Sequence, residues 1–250
     1  MAYDGCIHAR ASNPAQGSAQ PSCLHCPTAS LCMIGGLARE DVGQWNALVQ
    51  SHLSLAVAGQ ALFELGDAMT AIYVVRAGCV KSLTVDDQGN ERVRGFHLRG
   101  DVIGLDALYA GHYPCTALAL EPSQLCRIPR AQALQKLAQS PLLMQRLLQR
   151  LSAGLAAALT LSGDYTADQR VAAFLLEMQQ RLNQLPGAPL KLPMTRRDIA
   201  NYLRLATETV CRVLTRFAAQ GYIGVGEHKI SVLKLASLQR LAASGKAERL

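Results

Sequence analysis

Met194-Thr195-Arg196-Arg197-Asp198-Ile199-Ala200-Asn201-Tyr202-Leu203, then Arg204-Leu205-Ala206, then Thr207-Glu208-Thr209-Val210-Cys211-Arg212-Val213-Leu214-Thr215-Arg216-Phe217 is the most informative run in this chain. Thr195 is placed to cap a helix while Asp198, three residues on, reaches back to its backbone. Ile199, Ala200 and Leu203 form the apolar stripe of that helix. After a tight turn, Val210, Val213, Leu214 and Phe217 face inward on a second helix, leaving Glu208, Cys211, Arg212, Thr215 and Arg216 outside. Two short helices with a brief turn and a polar, basic outer face are what reading a DNA major groove requires.

The chemistry of that face is specific. Arg212 has the fork geometry for guanine O6 and N7, and Glu208 accepts from cytosine N4 or orients a neighbouring arginine. An acid on a groove-facing helix repels phosphate, so Glu208 reads best as a base contact. Thr207 opens the helix. Arg196, Arg197, Arg204 and Arg216 are candidates for phosphate contacts, which position the protein without specifying sequence. Gly221 to Leu233 reads as a β-hairpin, as in a winged variant. An ordinary hairpin of helices with solvated charges is the plainer alternative.

Working outward, Pro186-Gly187-Ala188-Pro189 separates this unit from what precedes it, and residues 166–185 form an amphipathic helix. Residues 131–162 contain no acid and only Pro141 and Gly154 as breakers. Met144, Leu148, Leu151, Leu155 and Ala158 recur at steps of four and three, a seam on which two copies of the helix would pair. Packing on the chain's own sheet is the alternative. From Leu55 to Ile128 short strand-like runs alternate with turns, among them Ala71 to Val85, broken at Ala77-Gly78, and the polar turn Asp86-Asp87-Gln88-Gly89-Asn90. That spacing indicates an antiparallel sandwich or barrel.

Residues 1–35 read as a tail, yet they carry Cys23, Cys26 and Cys32 in a C-x2-C-x5-C cluster; Cys126 lies far downstream in Cys126-Arg127-Ile128-Pro129. Thiolates are soft ligands, suited to zinc, copper(I) and iron–sulfur centres. Ligand type alone leaves zinc and iron–sulfur equally open. The 250 residues carry a net charge of +7 and eight cysteines. The charge favours a polyanionic partner. The start of the chain has no basic, apolar leader, and Leu151 to Leu161 is too short to span a bilayer. A cytoplasmic location and no membrane association are therefore expected, where thiols serve metal binding or burial rather than disulfides. Cys79 and Cys115 read as small core residues, and Cys115 is the rival to Cys126 as fourth ligand. No glycine-rich nucleotide loop, paired catalytic carboxylates or Ser/His/Asp arrangement stands out, so no enzyme is expected.

These runs resemble the Crp/Fnr superfamily of bacterial regulators over nearly the whole chain. Gly95-Phe96-His97-Leu98-Arg99-Gly100-Asp101-Val102-Ile103-Gly104-Leu105-Asp106-Ala107 is similar to the sensor run of its Fnr branch. Glu208 to Arg212 resembles the recognition helix, and Cys23, Cys26, Cys32 and Cys126 resemble the ligands of its oxygen-sensing members. The resemblance implies an α+β chain: a cysteine-rich tail (1–35), an antiparallel β jelly-roll sensor domain (36–130), a long dimerisation helix (131–163) and a C-terminal winged helix-turn-helix (164–250). It also implies an oxygen-labile [4Fe-4S] cluster promoting homodimerisation and binding to a TTGAT-N4-ATCAA-like inverted repeat when oxygen is absent, controlling anaerobic or microaerobic genes. Val85, Asp86, Asp87, Gly89 and Asn90 resemble a surface that touches RNA polymerase.

Three departures stand out. Cys211 replaces a usual serine, Arg204 a common glycine, and the helix at 131–163 lacks the acids that help keep subunits apart in air, so this dimer is expected to persist better after cluster loss. The alternatives are a zinc-stabilised regulator, a small-ligand regulator, a haem sensor using Cys79 or His97, and an iron–sulfur redox enzyme. Cyclic-nucleotide sensing is weakened because residues 111–117 contain no arginine.

Overall fold

The structure is a computed structural model that describes residues 22–49, 51–55, 58–162, 165–182, 189–226 and 229–243. After a single 3-10 turn at Cys23–His25 come α1 (Arg39–Leu48), β1 (Ser51–Leu55), β2 (Ala61–Phe63), β3 (Ala71–Ala77), β4 (Val80–Val85), β5 (Glu91–His97), β6 (Val102–Ile103), β7 (Thr116–Ala119) and β8 (Ser123–Pro129). The helices α2 (Arg130–Gln139), α3 (Pro141–Ser162) and α4 (Ala167–Arg181) follow. The chain closes with β9 (Pro189–Lys191), α5 (Arg196–Leu203), α6 (Thr207–Ala219), β10 (Ile223–Val225), β11 (Lys229–Val232) and α7 (Leu235–Ala243).

The first eight strands form two four-stranded antiparallel sheets, ordered β1-β8-β3-β6 and β2-β7-β4-β5. The run Ala71 to Val85 is thus two strands in different sheets. Gly78 makes the crossing: its φ is +86°, and a Cβ there would lie 2.3 Å from the Ser123 hydroxyl oxygen and 2.7 Å from the Pro122 carbonyl oxygen. Ala71, Ile72, Tyr73, Val74 and Val75 are all buried. Successive strand residues point to opposite faces, so β3 is covered on both. One cover is the residues read as tail: Met33 and Ile34 join Trp45 of α1 in the same core. The second half of that expected tail is therefore part of the domain. Residues 1–21, with Cys6, lie outside the described residues.

The helical run expected from 131 is two helices. Ser140 before Pro141 is extended (φ −125°, ψ 102°), as a residue preceding proline prefers, and its hydroxyl accepts from the Leu143 amide at 3.4 Å. Proline at the first helical position then starts α3 at no hydrogen-bond cost. Leu143 and Leu147 bury one face of α3 in the sensor core. Met144, Leu148, Leu151, Leu155 and Ala158 lie exposed.

The C-terminal unit packs α4, α5, α6 and α7 with a three-stranded sheet ordered β10-β11-β9. The hairpin expected at 221–233 is there, and β9 is a strand that three residues with a leading proline did not announce. This unit docks on β4 and β5. Lys81 pairs with Asp198 at 2.8 Å, their side chains 12% and 9% exposed. Asn201 accepts from the Val93 amide at 3.2 Å and donates to the Glu91 carbonyl. The rings of Phe96 and Tyr202 lie 5.2 Å apart between the two units.

Gly78→Ala tests the crossing. Left-handed backbone strain plus overpacking is expected to cost about 2–4 kcal/mol, read as a thermal midpoint lower by several degrees with no change in exposed-thiol count. An unchanged midpoint would mean the corner relaxes freely.

Candidate functional site

Two constellations stand out, one of sulfur and one of guanidinium. The loop 22–36 folds as successive turns that bring its thiols inward. The Cys23 amide donates to the Asn46 side-chain oxygen at 2.8 Å, and the buried Thr28 hydroxyl donates to the Arg76 carbonyl at 3.0 Å. Gly35 admits the backbone itself, since a Cβ there would meet the Ser30 carbonyl oxygen at 2.6 Å. Cys126 comes from β8, opposite Val74 of β3. All four thiols line one small cavity of about 20 Å³, whose other walls include Trp45, Val74, Val75 and Arg76.

The thiols sense one another. Burial, then Cys32 and Cys26, push the Cys23 thiol up to about 11. Burial, then Cys23, Cys32 and Cys26, push Cys126 up to about 12. Burial also raises Cys32. Four soft donors around one cavity, with no carboxylate or imidazole among its walls, form a donor set suited to a thiolate-bound metal centre. Among the described residues, however, no three or more His, Cys, Asp or Glu side chains are arranged to hold a single metal ion.

Cys115 stands apart. Its thiol is buried and raised to about 11 by burial and then Asp106, with Arg94 opposing, and no cluster cysteine acts on it. Cys79 is fully buried; its amide donates to the Ser123 hydroxyl at 3.2 Å. His97 lies 3.0 Å from the Ser82 hydroxyl oxygen. Among the described residues, no disulfide joins any cysteine.

The second constellation is the α5–α6 pair. The Thr195–Asp198 capping box forms in both directions: the Asp198 amide donates to the Thr195 hydroxyl at 3.1 Å and the Thr195 amide to the Asp198 carboxylate at 3.0 Å. Arg204 ends α5 at φ 56°, in the left-handed region that glycine occupies without strain. On α6, Glu208, Cys211, Arg212, Thr215 and Arg216 are exposed, with Thr207 partly so. Arg197 is exposed and Arg196 half-buried. Burial lowers the Arg196 guanidinium, and the Cys211 thiol opposes that shift. Arg216 is not idle off DNA: it pairs with Asp168 of α4, a contact the spacing of α6 alone did not disclose.

The polar turn Asp86 to Asn90 is well tied. Asp86 accepts from the Gln88 and Asn90 amides at 3.0 and 2.8 Å, and those bonds hold its carboxyl below the usual range. Val85 beside it is 50% exposed.

Residues 56–140 match the cyclic nucleotide-binding domain and residues 169–241 the Crp-like helix-turn-helix domain. The fumarate and nitrate reduction regulatory proteins of Escherichia coli (strain K12) and Salmonella typhi are each 34% identical over 225 residues, covering 88% of this chain and 90% of theirs. The chain belongs to the Crp/Fnr family. As a Crp/Fnr protein it is a DNA-binding transcription regulator. FixK2 from Bradyrhizobium japonicum superposes with a TM-score of 0.69 at 30% identity, over 76% of this chain and 96% of that one. A transcriptional regulator of the CRP/FNR family from Thermus thermophilus gives 0.62 at 28%, over 77% and 98%. No helix among the described residues is long and apolar enough to cross a membrane.

The raised thiols have a measurable consequence. Burial and mutual repulsion keep Cys23 and Cys126 largely protonated at pH 8 in the metal-free chain. A short alkylation pulse with peptide mapping is expected to label exposed Cys211 well before either, the gap closing as pH rises. Equal labelling of Cys126 and Cys211 would contradict the burial and mutual repulsion described.

Proposed function

We propose that this Crp/Fnr protein is an oxygen-responsive regulator whose Cys23, Cys26, Cys32 and Cys126 hold a [4Fe-4S] cluster. The observation that carries the reading is the meeting of three loop thiols and one sheet thiol at a single cavity. A zinc ion binds four thiolates tightly, at about 2.3 Å each. A set of four thiolates suits a zinc ion and a four-iron centre alike, and the resemblance of these four positions to the ligands of the oxygen-sensing Fnr branch favours the latter. When bound, such a cluster supplies an oxygen-labile centre held by cysteine thiolates.

The chain's own residues do the rest. Cys126 ties the loop to β8, and Arg150 of α3 donates to the Leu31 carbonyl in that loop. Seating the loop therefore steadies α3. Met144, Leu148, Leu151, Leu155 and Ala158 then pair with the same seam of a second copy. Leu148 and Leu155 are 60% and 62% exposed in the single chain, and covering each contributes roughly 1–2 kcal/mol. Two copies of α6 engage an inverted repeat resembling TTGAT-N4-ATCAA as one unit, so occupancy follows dimerisation steeply. Glu208 and Arg212 read bases, Arg196, Arg197 and Arg216 hold phosphates, and Thr207 and Cys211 border the same surface. Arg216 must exchange Asp168 for phosphate to do so. Val85 with Asp86, Asp87, Gly89 and Asn90 forms the contact for RNA polymerase.

Anaerobic purification with visible absorption, iron and acid-labile sulfide analysis tests this. The wild type and Cys115→Ser are expected to carry iron and sulfide and a broad band that bleaches in air; Cys126→Ser is expected to lose both. Stoichiometric zinc with no colour would replace the iron reading with the zinc one. A full centre in Cys126→Ser would remove Cys126 from the ligand set. On the DNA side, Arg212→Ala is expected to weaken binding to the repeat by about 1–3 kcal/mol, with a smaller loss on unrelated duplex. Equal losses on both would make Arg212 a phosphate contact.

A further inference from the structure

The loop and α6 are far apart in sequence, yet two sets of charged contacts, one at each end of α4, lie between them. Leu31 precedes Cys32, and its carbonyl accepts from Arg150. The other arm of that guanidinium lies 3.5 Å from Asp101 Oδ1. Asp101 Oδ2 accepts from the Leu98 amide at 2.8 Å and pairs with Arg181 at the end of α4. Arg181 also donates to the Phe96 carbonyl at 2.8 Å and pairs with Glu177 at 2.8 Å. At the opposite end of α4, about 20 Å away along a helix rising 1.5 Å per residue, Asp168 pairs with Arg216 of α6.

The arrangement is built around Asp101. Gly100, next to it, has φ +92°, and a Cβ there would sit 2.7 Å from the Leu31 Cβ. The loop thus rests directly on the Asp101 turn. One carboxylate is shared by two guanidiniums from two helices, so displacing Arg150 changes the charge balance felt by Arg181. The three side chains are partly exposed, 34%, 25% and 27%. They border a cleft of about 1160 Å³ between the sensor sheet, α3 and the α4–α5 unit, where α4 has room to shift.

We propose that Arg150, Asp101 and Arg181 are positioning residues that transmit the seating of the cysteine loop to the recognition helix through α4. The proposal rests on the thiol-site reading and assigns it a route: the loop holds Arg150, Arg150 and Arg181 share Asp101, and α4 carries the restraint to Arg216.

The test uses the full chain reconstituted anaerobically with iron and sulfide, and the inverted-repeat duplex as probe. Asp101→Asn and Arg181→Met are expected to keep wild-type iron and sulfide content and wild-type dimer mass by light scattering. Their ratio of DNA affinity between metal-loaded and metal-free protein is expected to fall by about tenfold or more, within the range of ordinary site-to-site coupling. Arg181→Lys, which keeps the charge, is expected to recover most of that ratio. Unchanged ratios in both variants, with metal content intact, would overturn the relay and leave the thiol site standing. A wild type that takes up no iron and sulfide would instead sink the thiol-site reading. The metal-free chain then tests the relay's first link by iodoacetamide labelling of Cys26: faster labelling in Arg150→Met than in wild type supports the tie between loop and α3, and equal rates overturn that tie and the relay with it.

Discussion

Everything distinctive about this chain depends on how residues 22–36 are seated. The loop has three thiols and little apolar mass, so it cannot fold alone. Met33 and Ile34 anchor it beneath Trp45 against the outer face of β3, and Gly100 lets Leu31 approach the Asp101 turn. Burying those anchors supplies the hydrophobic driving force. Burying the thiols opposes it once they ionise, because Cys23, Cys32 and Cys126 are forced upward by desolvation and by each other. A bound cationic centre reverses that balance, since metal ligation requires deprotonated thiols. Below those raised values the thiols are neutral and the loop stays seated; deprotonating them weakens its seating unless a bound cation offsets the charge.

The same seating reaches the exposed seam of α3 by geometry. Helix α3 presents three faces. Leu143 and Leu147 enter the sensor core, Arg150 faces the loop, and Met144, Leu148, Leu151 and Leu155 stay exposed. A rigid helix whose one face is pinned by the loop has its exposed seam set by that pin. The break at Ser140-Pro141 matters here, because it lets α3 be oriented independently of α2.

Much of this was legible in the residues. The capping box Thr195–Asp198, the inward faces of α5 and α6 and the seam of α3 follow from helical periodicity, which side-chain chemistry reports directly. The meeting of Cys126 with the N-terminal thiols was legible only through resemblance, since no local pattern pairs residues a hundred positions apart. What escaped reading is long-range and polar. Asp198 reads as a helix cap, yet it also pairs with Lys81 of the sensor sheet. Asp101 reads as one position in the sensor-like run 95–107, yet two arginines from different helices converge on it. Arg216 reads as a phosphate contact, yet Asp168 holds it. A side chain's partner across a domain boundary is set by tertiary packing, and a single sequence carries no periodic signature of it. The packing of Met33 and Ile34 into the core escaped for a related reason: two adjacent apolar residues do not announce a core.

The central claim is that the loop and α3 respond together. Amide hydrogen exchange of the full chain, metal-loaded and metal-free, measures it directly. The account predicts that Leu31 to Gly36 and Met144 to Leu155 lose protection together when the metal is removed, while β4 and β5 keep theirs. Loss confined to the loop, with α3 protected as before, would contradict it.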